Sequence, residues 1–236
     1  MANLSSIVAI QVAMGVIVAV YYLWPAGSGV LSKYAQWQAS GGALGTGFVY
    51  AVAGGVLSEL SFVYFQQRGR WTRANVENVV FKFVIFFISG SVVYEFYRMQ
   101  AMWWGTGASL RVIVPKVIVD QFGYTVIFAA PYYAVLTRWQ ALRYSGAKLW
   151  SELRGSFLTE RLLPVLVMNW MFWIPAISFV YAMPSVLQPP LASFATAIWG
   201  LLVSAIGKQE PAHPRVATPV AAGPAGSPPM VAESVK

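Results

Sequence analysis

Polar residues that could bind ions or polar solutes lie at helical spacing inside one apolar stretch of the sequence. Lys116, Asp120 and Tyr124 follow one another at intervals of four, and Gln121 lies beside the aspartate in the run VIVDQFGYTVIFAAP. Side chains four positions apart share one face of an α-helix, so the segment predicts a polar stripe of about two turns. A lysine and a carboxylate on such a stripe suit contact with ions or small polar solutes, provided that an inner surface receives them.

Further ionisable and amide side chains interrupt the other apolar stretches. They are Glu59, Glu95, Arg98, Asn169 and Gln188. Lipid penalises each of these groups, so we expect them in the interior of a helix bundle. There they would either line a water-filled passage or tie helices together, and the residues alone leave both alternatives open.

The composition indicates a membrane environment. Apolar and aromatic residues make up 58% of the 236 residues and charged residues only 10%, against roughly 25% charged in a soluble domain. Six apolar segments approach membrane-spanning length, at residues 5–23, 44–65, 79–103, 112–137, 162–181 and 186–206. The sequence therefore predicts an all-α, polytopic transmembrane helix bundle of four to six spans, with the lower count applying if the last two segments form a re-entrant hairpin.

The basic residues predict the orientation of this bundle. If all six segments span, twelve of the sixteen Lys and Arg fall on one face of the membrane, and basic residues accumulate on the cytoplasmic side. Both termini are therefore expected inside. We interpret the net charge of +8 as a topology signal and expect no nucleic-acid partner.

Two regions outside the spans have patterns of their own. Residues 138–161 predict an amphipathic helix in the membrane interface, with a solvated loop helix as the alternative. Its apolar face would comprise Trp139, Leu142, Leu149, Trp150, Leu153 and Phe157. Residues 207–236 carry six prolines and no aromatic residue, which predicts a disordered tail after a transmembrane domain at residues 1–206.

Several kinds of catalysis are not expected. The chain has no Cys and one His, His213, which lies in the tail. This composition removes thiol redox chemistry, Cys/His zinc sites and His-based acid-base catalysis. Because no nucleophile motif such as G-x-S-x-G occurs either, we expect neither an enzyme nor a bound cofactor or metal.

The second segment carries small residues at regular spacing. Gly47, Ala51 and Gly55 lie four residues apart on one helical face, and Glu59 continues that face. Small residues let another helix approach closely in a membrane. We therefore predict a helix-packing ridge that leads Glu59 into the bundle.

Four short motifs follow one another in order along the chain: GSVVYEFYRMQ, KVIVDQ, NWMFWIP and a closing series of Pro, Trp and Ser. Their matching residues are Gly90, Tyr97, Lys116, Asp120, Gln121, Asn169, Trp173, Pro184, Trp199 and Ser204. Over about residues 50–206 this ordered set resembles the Mpv-seventeen and peroxisomal-membrane-protein family of small integral membrane proteins. The chain departs from the family pattern at Gln188, where the family has Arg, and at Val126, where it has Pro.

The resemblance implies a channel for small solutes in a mitochondrial inner or peroxisomal membrane. It favours a weakly selective, gated pore for ions or small metabolites over a non-conducting scaffold, and over a membrane enzyme. The expected partners are the lipid bilayer and small solutes or ions, with a homo-oligomer left open. The sequence carries no Arg- and Ser-rich presequence and no Ser-Lys-Leu ending, so a bacterial inner membrane is equally open.

Overall fold

The computed structural model describes residues 12, 15–16, 18–155 and 163–206, and every regular element within them is helical. Residues 18–23 are helical. The helices that follow in chain order are α1 (Pro25–Ser40), α2 (Gly42–Gln66), α3 (Arg73–Trp104), α4 (Leu110–Ala141), α5 (Gly146–Leu153), α6 (Leu163–Ala182) and α7 (Gln188–Ile206). A 3-10 turn at Ser185–Leu187 precedes α7. Most of the first predicted span and all of the predicted tail lie outside the described residues.

Helices α2, α3 and α4 are long and apolar enough to cross a membrane, judged by length and composition. They contain 25, 32 and 32 residues, and they coincide with the second, third and fourth predicted segments. A rise of 1.5 Å per residue makes each of them longer than a hydrocarbon core of about 30 Å. The all-helical class is thus confirmed for the described residues, which contain three helices of membrane-spanning length. The predicted count of four to six spans is not confirmed.

The middle of α4 is wound more loosely than an α-helix. Residues Val119–Ala129 form a π-helix, in which each N–H pairs with the carbonyl five residues earlier. Asp120, Gln121 and Thr125 are buried in this stretch, whereas Phe122 is half exposed. The polar face expected from the sequence is therefore turned inward along a wider helical turn.

The small-residue ridge of α2 lies directly against α3. A Cβ added to Gly55 would come within 2.9 Å of the Phe83 backbone nitrogen, and one on Gly47 within 2.7 Å of the Phe87 carbonyl oxygen. Ala51, between the two glycines, is fully buried. Gly90 contributes from α3, because a Cβ there would come within 3.0 Å of the Gly47 Cα. Because these glycines have no Cβ, the backbones of α2 and α3 approach more closely than larger residues would allow.

We expect Gly55→Leu to destabilise the protein. The new side chain would meet the backbone of Phe83, at 2.9 Å from its nitrogen and 3.0 Å from its Cα, so α2 and α3 must separate. Overpacking of this kind costs about 1–3 kcal/mol or more. Thermal unfolding of purified protein in detergent measures the loss. Leu57→Ala, at a half-exposed position of α2, is the matched control, and equal melting temperatures for the two variants would contradict the packing.

The predicted interfacial helix is interrupted. The chain leaves α4 at Ala141 and turns through Arg143 and Tyr144, which adopt positive φ angles of 54° and 61°. Helix α5 then starts at Gly146 and has only 8 residues. Because the turn intervenes, Trp139 and Leu142 of the predicted apolar face do not continue into the half of that face formed by Leu149, Trp150 and Leu153. Phe157 lies outside the described residues.

Helix α1 lies between the first two predicted apolar segments, a stretch for which no element was predicted from the sequence. It begins with Pro25, a residue well suited to the first turn of a helix. Its inner side brings Ala35 and Gln38 into the bundle, where both are buried. The core that they join also contains buried apolar residues of α2, α3, α4, α6 and α7.

Candidate functional site

The carboxylate of Asp120 lies inside the bundle and connects three helices. Its side chain is 5% exposed. The Tyr181 hydroxyl of α6 donates to Oδ2 at 2.7 Å, and the neighbouring Gln121 amide donates to Oδ1 at 2.7 Å. Gln100 of α3 in turn donates to the Tyr181 hydroxyl oxygen at 2.6 Å. A chain of buried hydrogen bonds therefore runs from α3 through α6 to α4.

Lys116 is fully buried one turn before this aspartate. Its Nζ has no hydrogen-bond partner within the described part of the chain, and no ion pair joins it to Asp120 there. The ammonium instead lies 5.6 Å from the centroid of the Tyr181 ring, a distance at which a cation is attracted to the ring face. Tyr181 thus contacts both charges, one through its ring and the other through its hydroxyl.

A row of aromatic rings follows the same helix beyond Asp120. Phe96 of α3 stacks on Tyr124 at a centroid distance of 4.5 Å, Tyr124 lies 5.4 Å from Phe128, and Phe128 lies 5.3 Å from Tyr132. The Tyr132 hydroxyl donates to the Ile85 carbonyl of α3 at 2.9 Å. We call Phe96, Tyr124, Phe128 and Tyr132 the aromatic ladder. It contacts α3 at its two ends, through the Phe96–Tyr124 stack and the Tyr132 hydrogen bond, and runs along α4 between them.

Glu59 forms a second buried cluster, nearer the start of α3. Its side chain is 1% exposed. Lys82 donates to Oε2 at 2.6 Å, while Asn75 and Asn78 donate to Oε1 at 2.8 and 3.1 Å. Gln140 at the end of α4 donates to the Asn78 side-chain oxygen at 2.9 Å. One carboxylate therefore joins α2 to α3, and through Asn78 to α4.

Two cavities lie at opposite ends of α3. The first, which we call the outer cavity after the side of the membrane expected from the sequence, has a volume of about 350 Å³. It borders the C-terminal part of α3 and the ends of α1, α2 and α7, with Gln38, Thr46, Tyr97 and Gln188 among its lining residues. The inner cavity, about 310 Å³, lies where α3 begins and α4 ends, and Asn78 is part of its wall. The Tyr97 ring at the outer cavity lies 5.3 Å from the Tyr181 ring. The Asp120 network and the aromatic ladder thus lie along α3 between the two cavities.

The structure does not bring every predicted polar residue into the interior. Glu95 and Arg98 form an ion pair at 2.8 Å with both side chains more than half exposed. Contrary to the expectation, neither is buried in the bundle interior, although Arg98 borders the outer cavity. Their position near the end of α3 lets two long side chains reach outward. Gln188 is buried and donates to the Met183 carbonyl at 2.9 Å, and Asn169 is only partly buried on α6.

The remaining motif residues have packing positions. The Trp173 and Trp199 rings lie 6.4 Å apart, between α6 and α7. Pro184 precedes the 3-10 turn, and Leu187 donates a backbone hydrogen bond to its carbonyl. Ser204 falls within α7, but its side chain is outside what the structure describes.

Several residues that the structure places in these clusters and cavities were not predicted from the sequence. They are Gln38, Thr46, Asn75, Asn78, Gln100 and Tyr181. A signal existed for some of them: Asn75, Asn78 and Lys82 follow at spacings of three and four, and Gln100 lies three residues after Tyr97, so each set shares a helical face. No comparable signal marked Tyr181, because its partner Asp120 is 61 residues away.

The chain matches no protein-family model, no curated protein and no solved structure in comparisons with known proteins. Its class is therefore supported by the fold alone. An all-helical bundle with three membrane-length apolar helices is that of a membrane protein. The family resemblance remains a prediction.

Proposed function

We propose that this membrane protein forms a weakly selective, gated pore for ions or small metabolites, and that the described conformation is its closed state. The observation that carries the proposal is the alignment of buried polar groups between two cavities at opposite ends of α3. A solute entering the outer cavity would meet Tyr97, then the Asp120 network, then the aromatic ladder. Separation of these rings would open a path toward the inner cavity.

The energetic cost of the buried charges supports a passage. A charged side chain at the centre of a membrane helix costs about 2.5–3.5 kcal/mol on insertion scales. An interhelical hydrogen bond contributes only about 0.6 kcal/mol on average. The two bonds accepted by Asp120 therefore do not offset its burial, and Lys116 has no hydrogen bond to offset its own within the described residues. Water in an open passage would solvate both groups.

The aromatic ladder supports gating over a permanently open pore. Apolar constrictions close channels by excluding water. The Phe96–Tyr124 stack at 4.5 Å and the hydrogen bond from Tyr132 to the Ile85 carbonyl bring the two ends of the ladder on α4 against α3. Rotation of a few side chains would widen this constriction without separating α2 from α3. The rigid ridge contact and the adjustable ladder thus have different parts in the proposed mechanism.

We also propose a topology of six spans with both termini inside. Helices α6 and α7 contain 20 and 19 residues, close to the roughly 20 residues that a spanning helix needs. The first apolar segment would supply the remaining span. A re-entrant hairpin of α6 and α7 is the alternative, and it leaves the orientation unchanged.

Membership in the Mpv-seventeen and peroxisomal-membrane-protein family is part of the proposal. Its support is that the motif residues Tyr97, Lys116, Asp120 and Gln121 are all buried near Tyr181, although they come from two separate helices. The membrane would be a mitochondrial inner, peroxisomal or bacterial inner membrane. A homo-oligomer is compatible with each of these.

A non-conducting scaffold is the second candidate. The Glu59 cluster favours it, because this carboxylate accepts three hydrogen bonds and so works well as a tie between helices. If the protein is a scaffold, the Asp120 network would likewise only hold its helices together. The pore predicts that purified protein passes ions or small solutes across a membrane, and the scaffold predicts that it does not.

We expect Phe128→Ala to raise solute flux several-fold in proteoliposomes, since it removes the middle ring of the ladder and with it both ring contacts, to Tyr124 and to Tyr132. Release of potassium and of a small entrapped dye measures the flux, with protein-free liposomes as the baseline. Phe122→Ala, a half-exposed phenylalanine in the same π-helical stretch, is the matched control and should leave flux unchanged. Baseline flux for both the parent protein and Phe128→Ala would overturn the pore and favour the scaffold.

A further inference from the structure

The wall of the outer cavity contains two buried polar side chains from adjacent helices without partners. Gln38 of α1 is 2% exposed and Thr46 of α2 is 1% exposed, and both line the cavity. Neither the oxygen nor the nitrogen of the Gln38 amide has a hydrogen-bond partner among residues 18–155 and 163–206, and neither does the Thr46 hydroxyl. Leaving such groups unpaired is unfavourable, because neither water nor another protein group replaces the hydrogen bonds that they lose on burial.

The rest of the cavity wall is largely apolar and carries no unbalanced charge. Tyr94, Met102 and Pro189 are typical lining residues. The one basic residue of the wall, Arg98, is paired with Glu95 at 2.8 Å. An apolar wall with a few convergent polar groups is the usual character of a small-molecule site, and a volume near 350 Å³ falls within the usual range.

From this geometry we infer that the outer cavity is a binding site for a small uncharged molecule that joins an apolar or aromatic body to an amide-type edge. The Gln38 amide offers one acceptor and two donors in one plane. Its oxygen and nitrogen are buried, so the side chain turns toward the cavity for an amide edge of a ligand to pair with it through two parallel hydrogen bonds. Thr46 supplies one further donor or acceptor. The apolar wall receives the body of the ligand, and the absence of an unpaired charge in the wall disfavours an ion.

This inference deepens the proposed function by naming the solute class at the outer entrance, and it rests on the pore only for the claim that such a solute crosses the membrane. Binding itself requires no flux. A binding measurement in detergent therefore separates the failure of this site from the failure of the pore.

The test is a fluorine NMR titration of 4-fluorobenzamide into the purified full-length protein in detergent micelles, corrected for empty micelles. We expect saturable binding of the benzamide, and at least about tenfold weaker binding of 4-fluorobenzoate, which has the same shape but bears a charge and lacks a donor. Gln38→Met keeps the length of the side chain, removes both polar atoms, and should weaken benzamide binding about tenfold. Thr46→Val should weaken it by a smaller factor.

Gln67→Met is the matched control. Gln67 lies past the other end of α2, also has a buried oxygen without a partner in the described chain, and lines neither cavity. It should bind 4-fluorobenzamide like the parent. If Gln38→Met fails to yield folded protein, Thr46→Val and the comparison of the two ligands still test whether the outer cavity binds the benzamide. Equal affinity for benzamide and benzoate, or unchanged benzamide binding in the folded cavity variants, would overturn the site.

Discussion

Glu59→Leu is expected to lower the melting temperature of the protein by about 10 °C or more. The substitution leaves the Lys82 ammonium and the Asn75 and Asn78 amides without their shared acceptor. Removing one partner of a buried ion pair typically costs about 3–5 kcal/mol, and each kcal/mol lowers the melting temperature by about 2–4 °C in a chain of this size. Thermal unfolding in detergent, followed by tryptophan fluorescence, measures the loss.

Two further variants show whether the cost arises from the unpaired charge. Glu77→Gln removes an exposed carboxylate that lies 3.7 Å from Arg73, and it should change the melting temperature by no more than about 4 °C, since exposed pairs contribute under about 1 kcal/mol. Lys82→Met in the Glu59→Leu background removes the stranded ammonium, so the double variant should recover part of the loss. A Glu59→Leu protein that melts like Glu77→Gln would contradict the structural role of the cluster.

The apolar runs of the sequence predicted the long helices well because hydrocarbon thickness sets their length. Predicted segments 44–65, 79–103 and 112–137 each fall within one described helix and end within a few residues of its limits, except at the start of α3. That helix begins at Arg73, six residues before the predicted segment, because its polar first turns are stabilised by the Thr72 and Asn75 cap and not by lipid. A pattern that counts only apolar residues does not detect such turns.

The polar interior was predictable only in part. The four-residue spacing in α4 identified a face that is indeed buried at Lys116 and Asp120, since periodicity reports which residues of one helix lie together. It does not report which helix lies opposite. Tyr181 and Gln100 are 81 residues apart in the chain and still form a hydrogen bond. Their pairing depends on the packing of α6 against α3 and α4, about which one sequence contains no direct information.

One sequence does not show what lies opposite a helix, and this also explains why Glu95 and Arg98 were expected in the bundle interior. Both interrupt an apolar run, as buried residues of the bundle also do. They nevertheless lie on the exposed side of α3 and pair with each other at 2.8 Å. The adjacent positions Phe96 and Tyr97 face the core instead. Near the end of a helix, an ion pair at the surface is sufficient to explain two charged residues in an apolar run.

We expect Asp120→Asn to leave folding nearly unchanged and to shift the ion selectivity of the pore toward anions. An asparagine oxygen can still accept the hydrogen bond from Tyr181. Its amide can donate to the Gln121 oxygen, which has no partner in the described chain, once the Gln121 amide turns over. The carboxylate charge disappears while the Lys116 ammonium, fully buried nearby, remains. The interior therefore changes from a balanced pair of charges to a net positive one.

The expected size of the shift follows from electrostatics. A unit charge about 8 Å from a permeating ion contributes about 2 kcal/mol at an effective dielectric constant of 20. Part of this is screened once water fills the passage, so we expect the potassium-to-chloride permeability ratio to fall about tenfold. Reversal potentials in planar bilayers under a potassium chloride gradient give this ratio directly. Lys116→Met should shift it in the opposite direction.

Glu152→Gln and Asp120→Leu complete the comparison. The first removes a carboxylate of α5 that is 32% exposed, pairs with Arg138 and lines neither cavity, and it should leave the permeability ratio within about twofold, because charges in contact with solvent are screened. The second leaves the hydroxyl of Tyr181 and the amide of Gln121 without their acceptor, which costs several kcal/mol and lowers the yield of folded protein. Asp120→Asn channels that match the parent in conductance, selectivity and gating would reduce Asp120 to a tie between α4 and α6. The permeation path would then have to avoid this carboxylate, because an ion passing within about 8 Å of an unscreened charge must respond to it.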